Sequence, residues 1–250
     1  ASRWAATLRQ VAIGTVAVYL LNPVTQVTTA LLAQERGWGL LNQVELPPWL
    51  AVVLGVMALD FVIYLQHVLF HAVPTLWRFH MVHHTDLDLD VTTGVRFHPV
   101  EILLSMGIKF CALLALGPPA TAVLLFEILL NGISMFNHAN LRLPARADRV
   151  LRLIVVTPDM HRVHHSVLPR ETNSNFGFNL PWWDRLFGTY RAQPMAGHEG
   201  MTIGLNQIRD PQRLTLPRLL ALPFVGATGA YPINRHEDRG LPNEGVGRQQ

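Results

Sequence analysis

The stretch Asp60-Phe61-Val62-Ile63-Tyr64-Leu65-Gln66-His67-Val68-Leu69-Phe70-His71-Ala72-Val73-Pro74-Thr75-Leu76-Trp77-Arg78-Phe79-His80-Met81-Val82-His83-His84 decides how this chain is read. Its first half closes an apolar run long enough for a membrane helix. Asp60, Tyr64, His67 and His71 follow one another at spacings of four, three and four, which puts all four on one helical face. An aspartate inside a span is costly and requires a polar partner or a wet cavity. In the second half, His80 stands at i,i+3 and i,i+4 from His83 and His84, so a helix points all three toward one centre. The same triple recurs as His161, His164 and His165. Two imidazoles one turn apart grip one ion, and imidazole suits iron, zinc, copper and nickel.

The surrounding composition is that of a membrane protein. Half of the 250 residues are hydrophobic and 15% are charged, against about 25% charged in a soluble domain. The mean hydropathy is +0.24. A formal charge of +3 is too small to point to nucleic acid. The single cysteine, Cys111, excludes a disulfide framework, a thiolate zinc site and an iron–sulfur cluster. Electrons for any redox chemistry therefore come from outside the chain.

Four apolar stretches mark the spans: residues 8–33, interrupted by Asn22-Pro23, then 48–70, 100–116 and 119–136. A span needs roughly 20 residues, with about 17 as a lower limit. The last two are joined by Gly117-Pro118-Pro119 and read as a tight helical hairpin. Lys109 and Glu127 lie at matching distances from that turn, which predicts an ion pair between them. If all four stretches cross, the N-terminus, the loop after His71 and everything beyond Asn137 share one side. That side carries eighteen of the twenty basic residues, and the positive-inside rule places it in the cytoplasm. A cleaved signal peptide is the competing reading of the first stretch; removing it would split the polar regions across the membrane. Residues 214–224 read either as an interfacial segment or as core packing. Residues 1–234 form one domain and residues 235–250 a polar, flexible tail. The fold class is all-α: a membrane bundle of about four transmembrane helices with a cytosolic helical cap carrying the histidines.

Ten of the twelve histidines lie between positions 67 and 165. His98, before the third stretch, and His138, after the fourth, fall on the same side as the clusters and join the candidate ligands. The candidate set is therefore His67, His71, His80, His83, His84, His98, His138, His161, His164 and His165. That number is too large for one ion of coordination four to six and suits two. The alternative for His98 is a helix-start residue bonding backbone or carboxylate. Asp60, Tyr64, Asn137 and Asn175 are candidates to support the ligands from behind. Asp159 reads as a helix cap, Asp86, Asp88 and Asp90 as a solvated loop, and Trp182-Trp183 as an interfacial anchor. A metal transporter and a metal-binding protein without catalysis are the readings from other classes. Transport needs polar residues along the membrane path, whereas these histidines cluster at one face.

The order H-x-x-x-H (His67, His71), H-x-x-H-H (His80, His83, His84) and H-x-x-H-H (His161, His164, His165) resembles the fatty acid hydroxylase / sterol desaturase superfamily. The likeness extends over residues 60–190. It takes in Asp60-x-x-x-Tyr64, Arg96-Phe97-His98-Pro99-Val100-Glu101, Phe136-Asn137-His138 and Trp183-Asp184-Arg185-Leu186-Phe187-Gly188-Thr189-Tyr190. The resemblance implies a cytoplasm-facing dinuclear iron site on a small helical membrane domain, with zinc as a substitute in recombinant protein. It implies O₂-dependent hydroxylation, desaturation or ether-bond oxidation of a lipid, and reductant from a separate protein or a small donor. This chain departs from some members in having only His138, with Arg142 four residues later, where they carry a further histidine pair.

Overall fold

The computed structural model describes residues 2–21 and 25–234; the expected tail lies outside the described residues. Every regular element among them is a helix. Besides three short 3-10 helices, the α-helices in chain order are α1 (Ser2–Leu21), α2 (Gln26–Arg36), α3 (Pro48–Ala72), α4 (Pro74–His84), α5 (Pro99–Leu116), α6 (Ala120–Asn137), α7 (Ala145–Leu151), α8 (Pro158–His164), α9 (Pro169–Thr172), α10 (Trp182–Leu186), α11 (Gly197–Gly200) and α12 (Leu216–Val225). Two isolated β-bridges, Ser166 with Ile203 and Leu205 with Ile208, tie the loops after α8 together.

Three of these helices, α3, α5 and α6, are long and apolar enough to cross a membrane. The first apolar stretch is not a fourth continuous helix. It is divided into α1, described to Leu21, and α2, whose N-cap Thr25 is extended at φ −82° and ψ 160°; Asn22-Pro23 lies outside the described residues. The two pieces nonetheless cover the depth of α5: Gly14 of α1 lies against Ile102 near its start, and Gly39, just past α2, lies against Gly117 just past its end.

Proline sets the main boundaries. Pro74 disfavours helical backbone at Val73, which adopts φ −97° and ψ 114° and separates α3 from α4. The two helices then pack on each other, which brings the histidines of α4 beside those of α3. Gly117 ends α5 at φ +62°, a left-handed conformation that glycine adopts without steric cost, and Pro119 precedes α6. In the resulting hairpin Lys109 Nζ lies 2.7 Å from Glu127 Oε1, as their depth predicts. One apolar cluster, with Ala30, Leu59, Ile63, Leu113, Val123 and Phe126, fills the bundle. A second joins α4 to α12 through Trp77, Met81, Leu214 and Leu219. Thus α12 packs one face on the core, the core-packing reading of residues 214–224, and leaves Phe224 and Val225 exposed.

Candidate metal centre

The histidines meet where α3, α4, α6 and α8 converge. His67 and His71 close α3, two turns above Asp60. His80, His83 and His84 ride on α4. His138 caps the end of α6. His161, His164 and His165 come from α8, whose start is set by Pro158 at its first position and by Thr157, whose hydroxyl accepts from the Met160 N–H. Thr157 is thus the cap; Asp159 instead pairs with Arg162 at 2.5 Å.

Nine imidazoles sort into two buried groups, His67, His71, His80, His84 and His164 in one and His83, His138, His161 and His165 in the other, with the ligand atoms of each within 4.8 Å of one another. Each H-x-x-H-H triple sends its i,i+4 pair to one group and its middle member to the other. Helix geometry explains the split: successive residues are rotated by about 100°, so the last two histidines of a triple flank the first on opposite sides. Nitrogen–nitrogen distances within the groups are short: His67 to His80 3.1 Å, His84 to His80 3.2 Å, His161 to His138 3.0 Å and His138 to His83 3.2 Å.

Five of the outer ring nitrogens are held from behind. Glu101 Oε1 lies 2.6 Å from His80 Nδ1, Asn173 Oδ1 3.0 Å from His71 Nδ1, and the carbonyls of Phe176, Ser174 and Ser134 lie 2.7, 2.8 and 2.7 Å from Nδ1 of His67, His164 and His138. Each of these acceptors takes the Nδ1 proton, which leaves the Nε2 lone pair pointing inward. Nε2 of His71 and of His164 has no hydrogen-bond partner. Burial, reinforced by the neighbouring histidines, pushes His83, His84, His161, His164 and His165 well below the usual histidine range, and burial lowers His138 to about 4. Neutral imidazoles with opposed lone pairs about 3 Å apart repel unless a cation lies between them. With metal–nitrogen bonds of about 2.1 Å, the edges of an octahedral or tetrahedral shell measure roughly 3.0–3.4 Å, the spacing these nitrogens show. The residues therefore fit two nitrogen-ligated metal ions.

His98 is not brought into either group. Its Nδ1 accepts from the Val100 N–H at 3.2 Å, capping α5, and its Nε2 lies 3.3 Å from the Leu220 carbonyl. It is the helix-start residue that Pro99 behind it foreshadowed. Asp60 and Tyr64 support the site at one remove. Trp183 Nε1 donates to Asp60 Oδ2 at 2.8 Å, and the Tyr64 hydroxyl lies 3.0 Å from Thr189 Oγ1. Both clamp the segment after the last histidine box onto α3. Asn137 donates to the Phe178 carbonyl at 3.1 Å, and Asn175 donates to the Met160 and Arg191 carbonyls at 2.9 and 2.8 Å. Asp86 departs from the solvated-loop expectation: it is fully buried, pairs with Arg96 at 3.2 Å and accepts from Thr93 at 2.8 Å. Trp183 packs on Phe61 in a tilted contact at 4.8 Å, while Trp182 is 42% exposed.

Glu101 and Asn173 are the supporting side chains that the sequence reading did not assign. Glu101 had a visible signal, a carboxylate in the first turn of an apolar helix just past His98-Pro99. Asn173 lies two residues before Asn175 in the polar run Asn173-Ser174-Asn175 that follows the last histidine box. Gly94 is a sterically required member of the wall: a Cβ there would meet the Ser134 carbonyl at 2.9 Å and His138 Nδ1 at 3.2 Å.

The model of the fatty acid hydroxylase family matches residues 52–189, which include the nine clustered histidines. An ornithine lipid hydroxylase of Rhizobium tropici is 36% identical over 143 residues, covering 57% of this chain and 42% of that protein. Alkylglycerol monooxygenases of Danio rerio and Homo sapiens are 32% and 30% identical, covering 73% and 70% of this chain and 41% and 37% of theirs. The chain thus spans about two fifths of the length of these relatives. No solved structure matches it significantly.

Proposed function

Because this chain belongs to the fatty acid hydroxylase family, we propose that it is an integral-membrane oxidoreductase that hydroxylates a C–H bond of a lipid, with O₂, at a dinuclear iron centre. The observation that carries this reading is the pair of buried all-imidazole groups, five and four strong, on top of helices apolar enough to cross a membrane. The relatives named as a lipid hydroxylase and as alkylglycerol monooxygenases support a fatty acyl, sterol or ether lipid as substrate.

When bound, two irons supply O₂ activation and share the electrons that it consumes. The protein does the rest. His67, His71, His80, His84 and His164 would hold one ion, and His83, His138, His161 and His165 the other. Glu101, Asn173 and the three carbonyls keep the ring protons on the outer nitrogens. Phe176 packs edge-on against His67 at 5.5 Å and against His71 at 5.1 Å, which helps exclude water from the first group. A cavity of about 220 Å³ touches His67 and His80 and runs between α3, α5 and α6, where a lipid carbon can approach. Electrons come from a separate protein or a small reductant. The histidine site and the N-terminus face the cytoplasm, following the arginine distribution.

Purified protein loaded with iron should carry two ions per chain, and the reduced protein given membrane lipid and O₂ should yield a product heavier by one oxygen. A product lighter by two hydrogens would make it a desaturase. One ion or fewer per fully loaded chain would refute the dinuclear assignment, and no O₂ uptake with any lipid would leave a metal protein without this catalysis.

A further inference from the structure

The arrangement of α2, α3, α5 and α6 opens the cavity toward the bilayer. Both α5 and α6 pack on α3 and on α2, and make little contact with each other. They are joined by their turn and by the Lys109–Glu127 pair. α2 fills the groove between them from the turn end. It has 11 residues against 18 in α5, about 16 Å against about 27 Å, so it leaves roughly the last 10 Å beside the histidines uncovered. There α1 has swung aside to pack on α5 and α12. The cavity lies in this upper half: Leu130 and Asn131 of α6 and Ser105 and Lys109 of α5 line it, with His67 and His80 at its head.

At the lower edge the gap is bridged by the Lys109–Glu127 pair at 2.7 Å. Lys109 is eight residues beyond Glu101, the partner of His80, so this bridge lies about 12 Å below the cage. An alkyl chain descending from the histidines meets a charged pair there, and burying hydrocarbon against such a pair strips it of polar contacts at a cost. The side of the groove offers no such barrier. It is open instead at Asn131, which both lines the cavity and is exposed, on a helix long and apolar enough to cross a bilayer. A volume of about 220 Å³ is also below the roughly 300–1,000 Å³ of pockets that enclose a whole ligand.

We propose that the gap between α5 and α6 is a lateral lipid portal with the Lys109–Glu127 pair as its sill. The protein takes an intact bilayer lipid by its polar end, oxidises a carbon within about 12 Å of that end, and leaves the outer part of the chains in the membrane. This deepens the lipid-oxidation reading above and rests on it for the substrate's presence at the cage.

The test is photolabelling of the full chain in lipid nanodiscs with 1-O-hexadecylglycerol carrying a diazirine close to the ether. Label is expected on residues 102–109 and 130–134, suppressed by excess unlabelled 1-O-hexadecylglycerol. Asn131 is exposed at the mouth. Asn131→Trp should plug it and cut the suppressible label by about tenfold or more, a change of about 1.4 kcal/mol in binding. Asn131→Ala should keep the label, which separates occlusion from loss of the asparagine, and Leu124→Trp, on the same helix but outside the cavity, should change nothing. Metal content and melting temperature of each variant identify any that fails to fold. Label on these residues that excess lipid does not suppress, or a folded Asn131→Trp protein labelled like the parent, overturns the portal. Labelling needs neither iron nor O₂. An active oxygenase without suppressible label refutes the portal alone, and a labelled chain that oxidises no lipid refutes the function alone.

Discussion

What a buried imidazole can do depends on its outer nitrogen. Where Nδ1 donates to Glu101, Asn173 or a backbone carbonyl, the tautomer is set and Nε2 faces inward as a lone pair. Nδ1 of His83, His161 and His165, by contrast, has no hydrogen-bond partner, so the group of four is held mainly through His138 and by packing. The sorting of each triple gives a test at this scale. His83→Ala should remove one of four donors from one group and leave the other five intact, lowering bound metal from two ions toward one. His98→Ala should leave both ions in place and cost only the cap of α5, about 1 kcal/mol. Metal per chain and melting temperature read both outcomes; loss of metal in the His98 variant would return that residue to the ligand set.

At the scale of elements, short helices and loops position what the long helices carry. The segment after α8 supplies Asn173, Ser174 and Phe176 to three different histidines and is itself anchored by α10. Asp184 accepts from the Phe176 N–H and the Gly177 N–H, each at 2.8 Å, and from the Thr189 hydroxyl at 2.7 Å. Burial raises this carboxyl above its ordinary range, so its hydrogen bonds offset a real desolvation cost. Asp184→Ala strands two buried N–H groups at about 1–3 kcal/mol each. It should destabilise the protein by about 3 kcal/mol and weaken metal binding through His67 and His164 although no ligand is touched. Chelator-release rates at matched temperature measure this. Unchanged release would show that the loop is held from elsewhere.

At the scale of the whole molecule, a divided first stretch and three long apolar helices place the nine clustered histidines at one end. The Gly39–Gly117 contact lies at the other end. If the first stretch crosses as α1 and α2 together, fifteen of the seventeen basic residues among the described ones fall with the histidines. A cysteine placed at exposed Arg146 should then react with impermeant reagent only from the cytoplasmic side, and one at exposed Gln43 only from the opposite side. The background for both is Cys111→Ser. Reaction of both from the same side would overturn this topology.

Much of this was determined along the chain. Spacings of three and four residues on a helix fix which histidines share a face, so the boxes around His67, His80 and His161 were legible as clusters. Matching depth from a Gly-Pro-Pro turn brought Lys109 opposite Glu127, and Pro74 marked the break between α3 and α4. These are local relations, set by helix rise and rotation. The tertiary structure decided the rest. Which histidines share a group depends on the angles at which α4 and α8 approach α3 and α6, so His83 left His84 for His138 and His164 left His165 for His71. His98 fell outside because its side chain was already committed to the Val100 N–H, and Asp86 went inside because Arg96, ten residues on, folds back onto it. Asp60 found its partner at Trp183, more than a hundred residues away. No periodicity in one segment records such meetings, because burial and pairing across segments come only with packing.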